Sequence, residues 1–407
     1  MAYGLVESNE IEALQSEINR LESETGDLNS QIDNLKGDLN RTNKVLEEEI
    51  ERRKRNESKL MELVREFEES KRKLKEEVER RKQKEEVGWE QKVLEMKMLK
   101  ELPCLRTGRT DLGVTFGDGK LFAVGGRCNG HPLKSGEYLD LKDLSAGWKE
   151  LPGMRVERCE FGLAFGDDKL YAVGGEDGSD SKSGEYLDLK DLSAGWKELP
   201  DMRLERCEFG LAFGDGKLYA VGGEDGLDSK SGEHLDLKDL SAGWKELPDM
   251  RAVRRCLGVA FGDGKLFAVG GRNNDEWDYE TESDPSTLGS GEYLDLKDLS
   301  AGWKELPLMM VRRVSFGMAF GDGKLFVVGG FDSYDYPTQC GIESGEFLNL
   351  KHLEAGWDVL PGLRALRTGF GVAFGDRKLF VVGGELGENS KLNDCHHGSV
   401  ECLRVAM

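Results

Sequence analysis

Apolar residues follow two different rhythms along the chain. In the first hundred positions they step by three and four: Ile11, Leu14, Ile18, Leu21, Leu28, Ile32, Leu35 and Leu39, with Thr25 filling the one gap. That spacing keeps them on one stripe of an α-helix and predicts a heptad seam. Ile11, Ile18 and Ile32 fall at a, and Leu14, Leu21, Leu28 and Leu35 at d, a combination that favours two parallel strands. Beyond Leu46 the seam reaches Ile50 by a second step of four, a stutter that locally unwinds a supercoil. It continues through Leu60, Val64, Phe67, Leu74 and Val78, but Arg53, Glu57 and Lys71 occupy core slots, so this half is the weaker clasp. At ~1.5 Å per residue, Ile11 to about Glu85 makes a rod on the order of 110 Å. The flanking charges qualify self-pairing, because Glu17 at g would face Glu22 at e of a parallel copy. Three arrangements stay open: a self-paired dimer, a pair with a more basic partner helix, and a solvated single helix. Gly26, Gly37 and Asn40 weigh against the last.

From residue 97 onward the rhythm changes to short apolar runs closed by paired glycines. The pairs start at Gly125, Gly174, Gly222, Gly270, Gly329 and Gly383, so the steps are 49, 48, 48, 59 and 54 residues. A tryptophan follows each of the first five, at Trp148, Trp196, Trp244, Trp303 and Trp357. Self-similarity at this period predicts an all-β propeller of four-stranded blades. Within a repeat, LAFGDG reads as strand A and KLYAVGG as strand B. Asp-Gly pairs such as Asp215-Gly216 form the hairpin turn between them. Both faces of strand B are apolar, which demands a packed layer on each side. SGEYLDL is strand C, and WKELP is strand D, whose proline suits an outer edge. The last repeat, from Phe370, has A, B and C but no D. Leu99–Pro103 (LKELP) is expected to supply the missing strand, closing six blades over 97–407 behind a helical stalk over 1–96.

Charge and cysteine content narrow the function classes. The net charge is -21, which repels phosphate backbones and speaks against general nucleic-acid binding. The opening MAYGLVESNE lacks the basic and apolar regions of a secretory signal, and no apolar run is long enough for a membrane helix. Eight cysteines with no common framework spacing fit reduced thiols in a cytoplasmic protein.

The double glycine, the strand-B aromatics (Phe122, Tyr171, Tyr219, Phe267, Phe326, Phe380), the strand-C glutamate, the strand-D tryptophan and an arginine past it together resemble the kelch repeat. The resemblance covers about three quarters of the chain. Strand C here ends Glu-Tyr-Leu-Asp-Leu, where members of that family often end in an aromatic and an aspartate. The resemblance implies a non-enzymatic protein–protein interaction propeller, with partners bound on the face made by the B–C and D–A loops. Combined with the stalk, it implies a scaffold or adaptor. Other kelch proteins are substrate receptors of ubiquitin ligases, but no BTB or BACK region precedes the repeats.

Two charged positions recur in all six repeats: Arg109, Arg158, Arg206, Arg254, Arg313 and Arg367, and Glu137, Glu185, Glu233, Glu292, Glu346 and Glu401. Matched in number, they are expected to neutralise each other inside the blades, because a buried unpaired charge is costly. The candidate partner-binding residues are those where the repeats diverge. They are Arg127, Glu176, Glu224, Arg272 and Phe331 after the double glycines, and Glu160 and Glu208 two past the arginines. The long loops of blades four and five add Trp277, Tyr279, Tyr334 and Tyr336. The acidic set on blades two and three points to a basic partner segment. No cofactor is expected. An enzyme with a metal site is the minor alternative, built on Cys128 and His131 meeting Cys395, His396 and His397. The sequence shows no phosphate-cradling loop and no nucleophile–base arrangement.

Overall fold

The computed structural model describes residues 3–96, 102–175, 182–223, 230–273, 286–332, 341–386 and 398–404. The chain divides into two compact units, Met1–Gln91 and Lys92–Met407.

The first unit lies on one helix, Tyr3–Met96, running through Gly26, Gly37 and Asn40 without a break. Nothing lies within 4 Å of a Cβ placed at Gly26 or Gly37, so no neighbour requires either glycine. The stripe from Leu14 to Ile50 is exposed throughout, Ile32 by 46% and Leu35 by 67%. A helix whose apolar stripe lies bare gains no stability from burying it. Among the described residues it is laced by surface pairs at helical spacing, such as Arg20–Glu17 and Lys36–Asp33.

The second unit is a six-bladed β-propeller. Blade one pairs Gly113–Gly117, Lys120–Val124, Gly136–Asp140 and Lys149–Leu151 in antiparallel order, and blades two to five repeat that order. Blade six has Gly371–Gly375, Lys378–Val382 and Val400–Arg404. Each A–B hairpin turns on two residues in the left-handed region, for example Asp118 (φ 48°) and Gly119 (φ 71°). Two positive φ values in succession define the type I′ turn that suits the twist of a hairpin. The strand-B side chains Leu121, Phe122, Ala123 and Val124 are buried on both faces, as their composition predicts.

Blades pack through aromatic stacks. The rings of Phe122 and Phe165, Tyr171 and Phe213, Tyr219 and Phe261, Phe267 and Phe320, and Phe326 and Phe374 lie 5.3 to 6.3 Å apart. Phe380 and Phe116 complete the circle at 5.9 Å. Each strand-D tryptophan donates its indole N–H to the proline carbonyl that ends the preceding blade's strand D. Trp196 bonds Pro152, Trp244 bonds Pro200, Trp303 bonds Pro248 and Trp357 bonds Pro307, all at 2.8 to 2.9 Å.

The expected strand at Leu99–Pro103 falls largely outside the described residues; Leu102 and Pro103 are described and are not in a strand. Their contacts nonetheless match those of a fourth strand's end. Trp148 donates to the Pro103 carbonyl at 2.8 Å, as the other tryptophans do to theirs. The Leu105 N–H donates to the Gly398 carbonyl at 2.8 Å, the same bond that Met154 makes to Lys134 and Met202 to Lys182. Leu102 and Leu105 are buried beside Val382 and Val400. The segment before blade one therefore docks against blade six in the register of the missing edge.

Candidate functional site

The B–C loops are the most variable part of the repeat in length, and the recurrent arginines clamp their bases. In blade one, Arg109 donates from Nη1 to the Gly125 and Ser135 carbonyls at 2.8 Å each, and from Nη2 to Glu137 Oε1 at 2.9 Å. Gly125 closes strand B and Ser135 opens strand C, so one guanidinium spans both ends of the loop. The same two carbonyls are held in the other blades by Arg158, Arg206, Arg254, Arg313 and Arg367. The planar fork of arginine, with donors in fixed directions, suits this bridging task. The glutamate carries a second load: Glu137 accepts the backbone N–H groups of Arg106 and Thr107. All six arginines and six glutamates are buried. Burial pulls Arg109, Arg254, Arg313 and Arg367 below the usual guanidinium value, while the paired glutamates push the other way. These groups are consumed by the scaffold, as their matched numbers predict.

The double glycine lets this loop base touch the next blade. Gly125 (φ 61°) and Gly126 (φ 85°) lie where a Cβ would strike the Arg158 and Thr110 carbonyls respectively. The residue after the doublet pairs with the one after the arginine: Thr110 with Arg127, Arg255 with Arg272, and Val314 with Phe331. This brings the B–C and D–A loops onto one face.

At the centre of that face, the residues two past each arginine form a ring. Asp111, Glu160, Glu208, Cys256, Ser315 and Gly369 all have φ between 51° and 59°. Their backbones are linked blade to blade: Asp111 N–H to Gly369 O, Glu160 to Asp111, Glu208 to Glu160, Cys256 to Glu208 and Ser315 to Cys256, at 2.6 to 3.2 Å. A left-handed backbone is unusual for residues other than glycine, and here it recurs at five of them in one column.

Two of the sequence-predicted site residues meet directly. Arg127 Nη2 lies 3.9 Å from Glu160, and its Nε lies 3.9 Å from Asp111. Glu208 hydrogen-bonds the Cys256 thiol, which also contacts Ser315 and feels the charge of Arg272. Burial and then Glu208 push that thiol well above its usual value. Phe331 is half-buried at the base of its loop. Glu176, Glu224, Trp277, Tyr279, Tyr334 and Tyr336 lie outside the described residues, as do Cys395, His396 and His397. Cys128 faces His131 in a two-residue hairpin. Among the described residues no group of three His, Cys, Asp or Glu side chains is placed to hold a metal ion.

The chain is a six-bladed propeller with Kelch motifs in three of its repeats. The Kelch motif family model matches residues 108–155, 157–203 and 205–251. No curated protein sequence matches the chain. A solved structure titled "Structure of YjhT" is similar in fold at 14% identity and a TM-score of 0.56, covering 74% of this chain and 95% of that one.

One feature of the propeller is absent from the sequence-based expectations. Four outer ion pairs recur between the D–A loop and strand D: Arg106–Glu150, Arg155–Glu198, Arg203–Glu246 and Arg251–Glu305, at 2.6 to 3.2 Å. In blade five the corresponding residues are Met310 and Val359. They are exposed by 42% and 36%, with Leu308 exposed by 71% nearby in sequence. Aligning the repeats column by column would have revealed the exchange. On the opposite face, a cavity of about 200 Å³ between blades one and two is lined by Asp118, Lys120, Phe122, Tyr138, Asp168 and Lys190 among others. Its lysines are already held by Asp118 at 2.7 Å and Asp168 at 2.6 Å, so they do not offer an anion site.

Proposed function

We propose that the chain is a non-catalytic interaction scaffold of the cytoplasm: the helix self-associates, and the propeller presents its B–C and D–A loops to a protein partner. The observation that carries this reading is the arginine clamp. It holds the same two carbonyls whether the loop between them is short, as after Gly126, or long, as after Gly271. A scaffold that fixes loop bases while loop lengths vary is the arrangement in which recognition is delegated to loops. Kelch propellers are typically a protein-interaction fold, and the absence of a membrane-crossing helix among the described residues accords with the proposed setting. The acidic members of the central ring support a partner segment with basic side chains. Two linked propellers would raise avidity by ~10²–10⁴ toward a target offering two epitopes.

The test is a phage-displayed random peptide selection on the immobilised full chain. Enriched peptides should carry net positive charge. They should lose binding when residues 272–289 are replaced by residues 224–230, a swap that the same clamp in both blades accommodates with little change in melting temperature. Selection of no peptides, or of peptides indifferent to the swap and to salt, removes the loop-face reading.

A further inference from the structure

The helix leaves its apolar stripe bare, and its sequence says which way a second copy lies against it. We infer that the helix pairs antiparallel with the helix of a second copy of this chain. The inference rests on the self-association proposed above and adds its direction.

Two independent features of the chain carry it. The first is the column of core residues. In a parallel, in-register pair each core residue meets its own copy. Arg53 would then face Arg53, and Lys71 would face Lys71, placing like charges together in the seam. Both side chains are exposed in the single chain, and stripping water from two like charges side by side is costly. In an antiparallel pair centred on Leu46, a positions of one half meet d positions of the other. Leu28 then meets Val64, Thr25 meets Phe67, Leu39 meets Arg53 and Leu21 meets Lys71. No charge faces a like charge, and the aliphatic stems of Arg53 and Lys71 can cover the leucines while their heads reach water. The same register sets positions 18 and 74, and 32 and 60, opposite each other; all four are apolar. It also brings the two stutters after Leu46 together at the middle of the shared rod, so neither interrupts a regular stretch of the partner.

The second feature is the charge along the helix. Residues 1–51 hold thirteen acidic and four basic side chains, whereas residues 52–84 hold fourteen basic and eight acidic ones. A parallel pair sets acidic half beside acidic half, repeating on a larger scale the Glu17–Glu22 conflict. An antiparallel pair sets each acidic half beside a basic one, and charge complementarity along a coiled coil is what selects orientation. The Ile-at-a, Leu-at-d composition that favours parallel strands is confined to the first half, and it is outweighed when the whole rod is paired.

The experiment is a pulsed dipolar distance measurement on the full chain, with a spin label carried by an encoded keto amino acid in place of Ser30. Position 30 is exposed at an outward f position, and this chemistry leaves the native cysteines untouched. In the antiparallel register the two labels are separated by 32 residues of rise, about 50 Å. Parallel helices would hold them within about 20 Å. A distance near 50 Å supports the inference. A distance under about 20 Å overturns the direction and leaves self-association standing. Sedimentation of the labelled chain as a monomer at micromolar concentration overturns both.

Discussion

The buried and exposed Arg–Glu pairs offer a test of the scaffold in one repeat. Arg206 and Glu233 are 1% and 2% exposed at the side chain and meet at 3.1 Å. Three residues earlier in the same unit, Arg203 meets Glu246 at 2.6 Å with the two side chains 54% and 73% exposed. By distance alone the outer pair is the stronger. Replacing Arg206 by Met removes donors to Glu233, the Gly222 and Ser231 carbonyls and the Ser231 hydroxyl. It leaves the buried Glu233 carboxylate held by the Arg203 N–H, at 2.9 Å. Breaking one side of a buried pair costs about 3–5 kcal/mol, which for a unit of this size lowers the melting temperature by on the order of 10 °C. Replacing Arg203 by Ala keeps its backbone N–H on Glu233 and costs about 0–1 kcal/mol, because water already solvates both partners of the outer pair. Denaturant titration of both variants, followed by tryptophan fluorescence, reads the difference directly. Equal and small losses for the two would refute the clamp and return the arginine column to the surface as a ligand set.

Two further outcomes follow from groups with shifted proton affinity. His234 stands where other blades carry Tyr138 or Tyr186, facing the Tyr219 ring at 6.1 Å, and burial, then Lys217 and Lys245, lower its affinity for a proton below the usual 6.5. The unfolded chain therefore protonates first, so stability should fall as pH drops below about 6.5; His234→Tyr should flatten that slope in a thermal-melt series from pH 7.5 to 5.5, and an unchanged slope contradicts it. The Cys256 thiol, pushed up by burial and Glu208, should resist iodoacetamide at pH 8 while exposed Cys104 is alkylated, as read by peptide mass spectrometry; equal labelling in the native protein contradicts the ring geometry.

Much of the fold was legible because it repeats. The glycine doublets, the strand-B aromatics and the matched Arg and Glu columns each encode a local demand that six copies satisfy in the same way, so pairing within a blade could be read without coordinates. The helix was legible too, from its three-and-four spacing: Gly26 and Gly37 cost helix propensity but break nothing when no neighbour presses on them. The candidate site was legible only as a face. That Arg127 would sit between Asp111 and Glu160 depends on the path between neighbouring blades, over separations of 16 and 33 residues that no local pattern specifies. Glu160 and Glu208 are for that reason less like a free acidic rim than their sequence suggested, since one lies near Arg127 and the other bonds Cys256. The Met310 and Val359 exchange was present in the repeat columns, but it becomes visible as one event only when the Arg–Glu contacts of the other blades show that the two columns touch.

The closed wheel is the claim on which the loop face depends, and hydrogen exchange of the intact chain tests it most directly. The amide of Leu105, bonded to the Gly398 carbonyl at 2.8 Å, should exchange as slowly as those of Met154 and Met202 in the equivalent bonds. Exchange of the 102–107 peptide at the rate of unstructured chain, with the blade-one strands still protected, would show that blade six ends without its edge and that the ring is open.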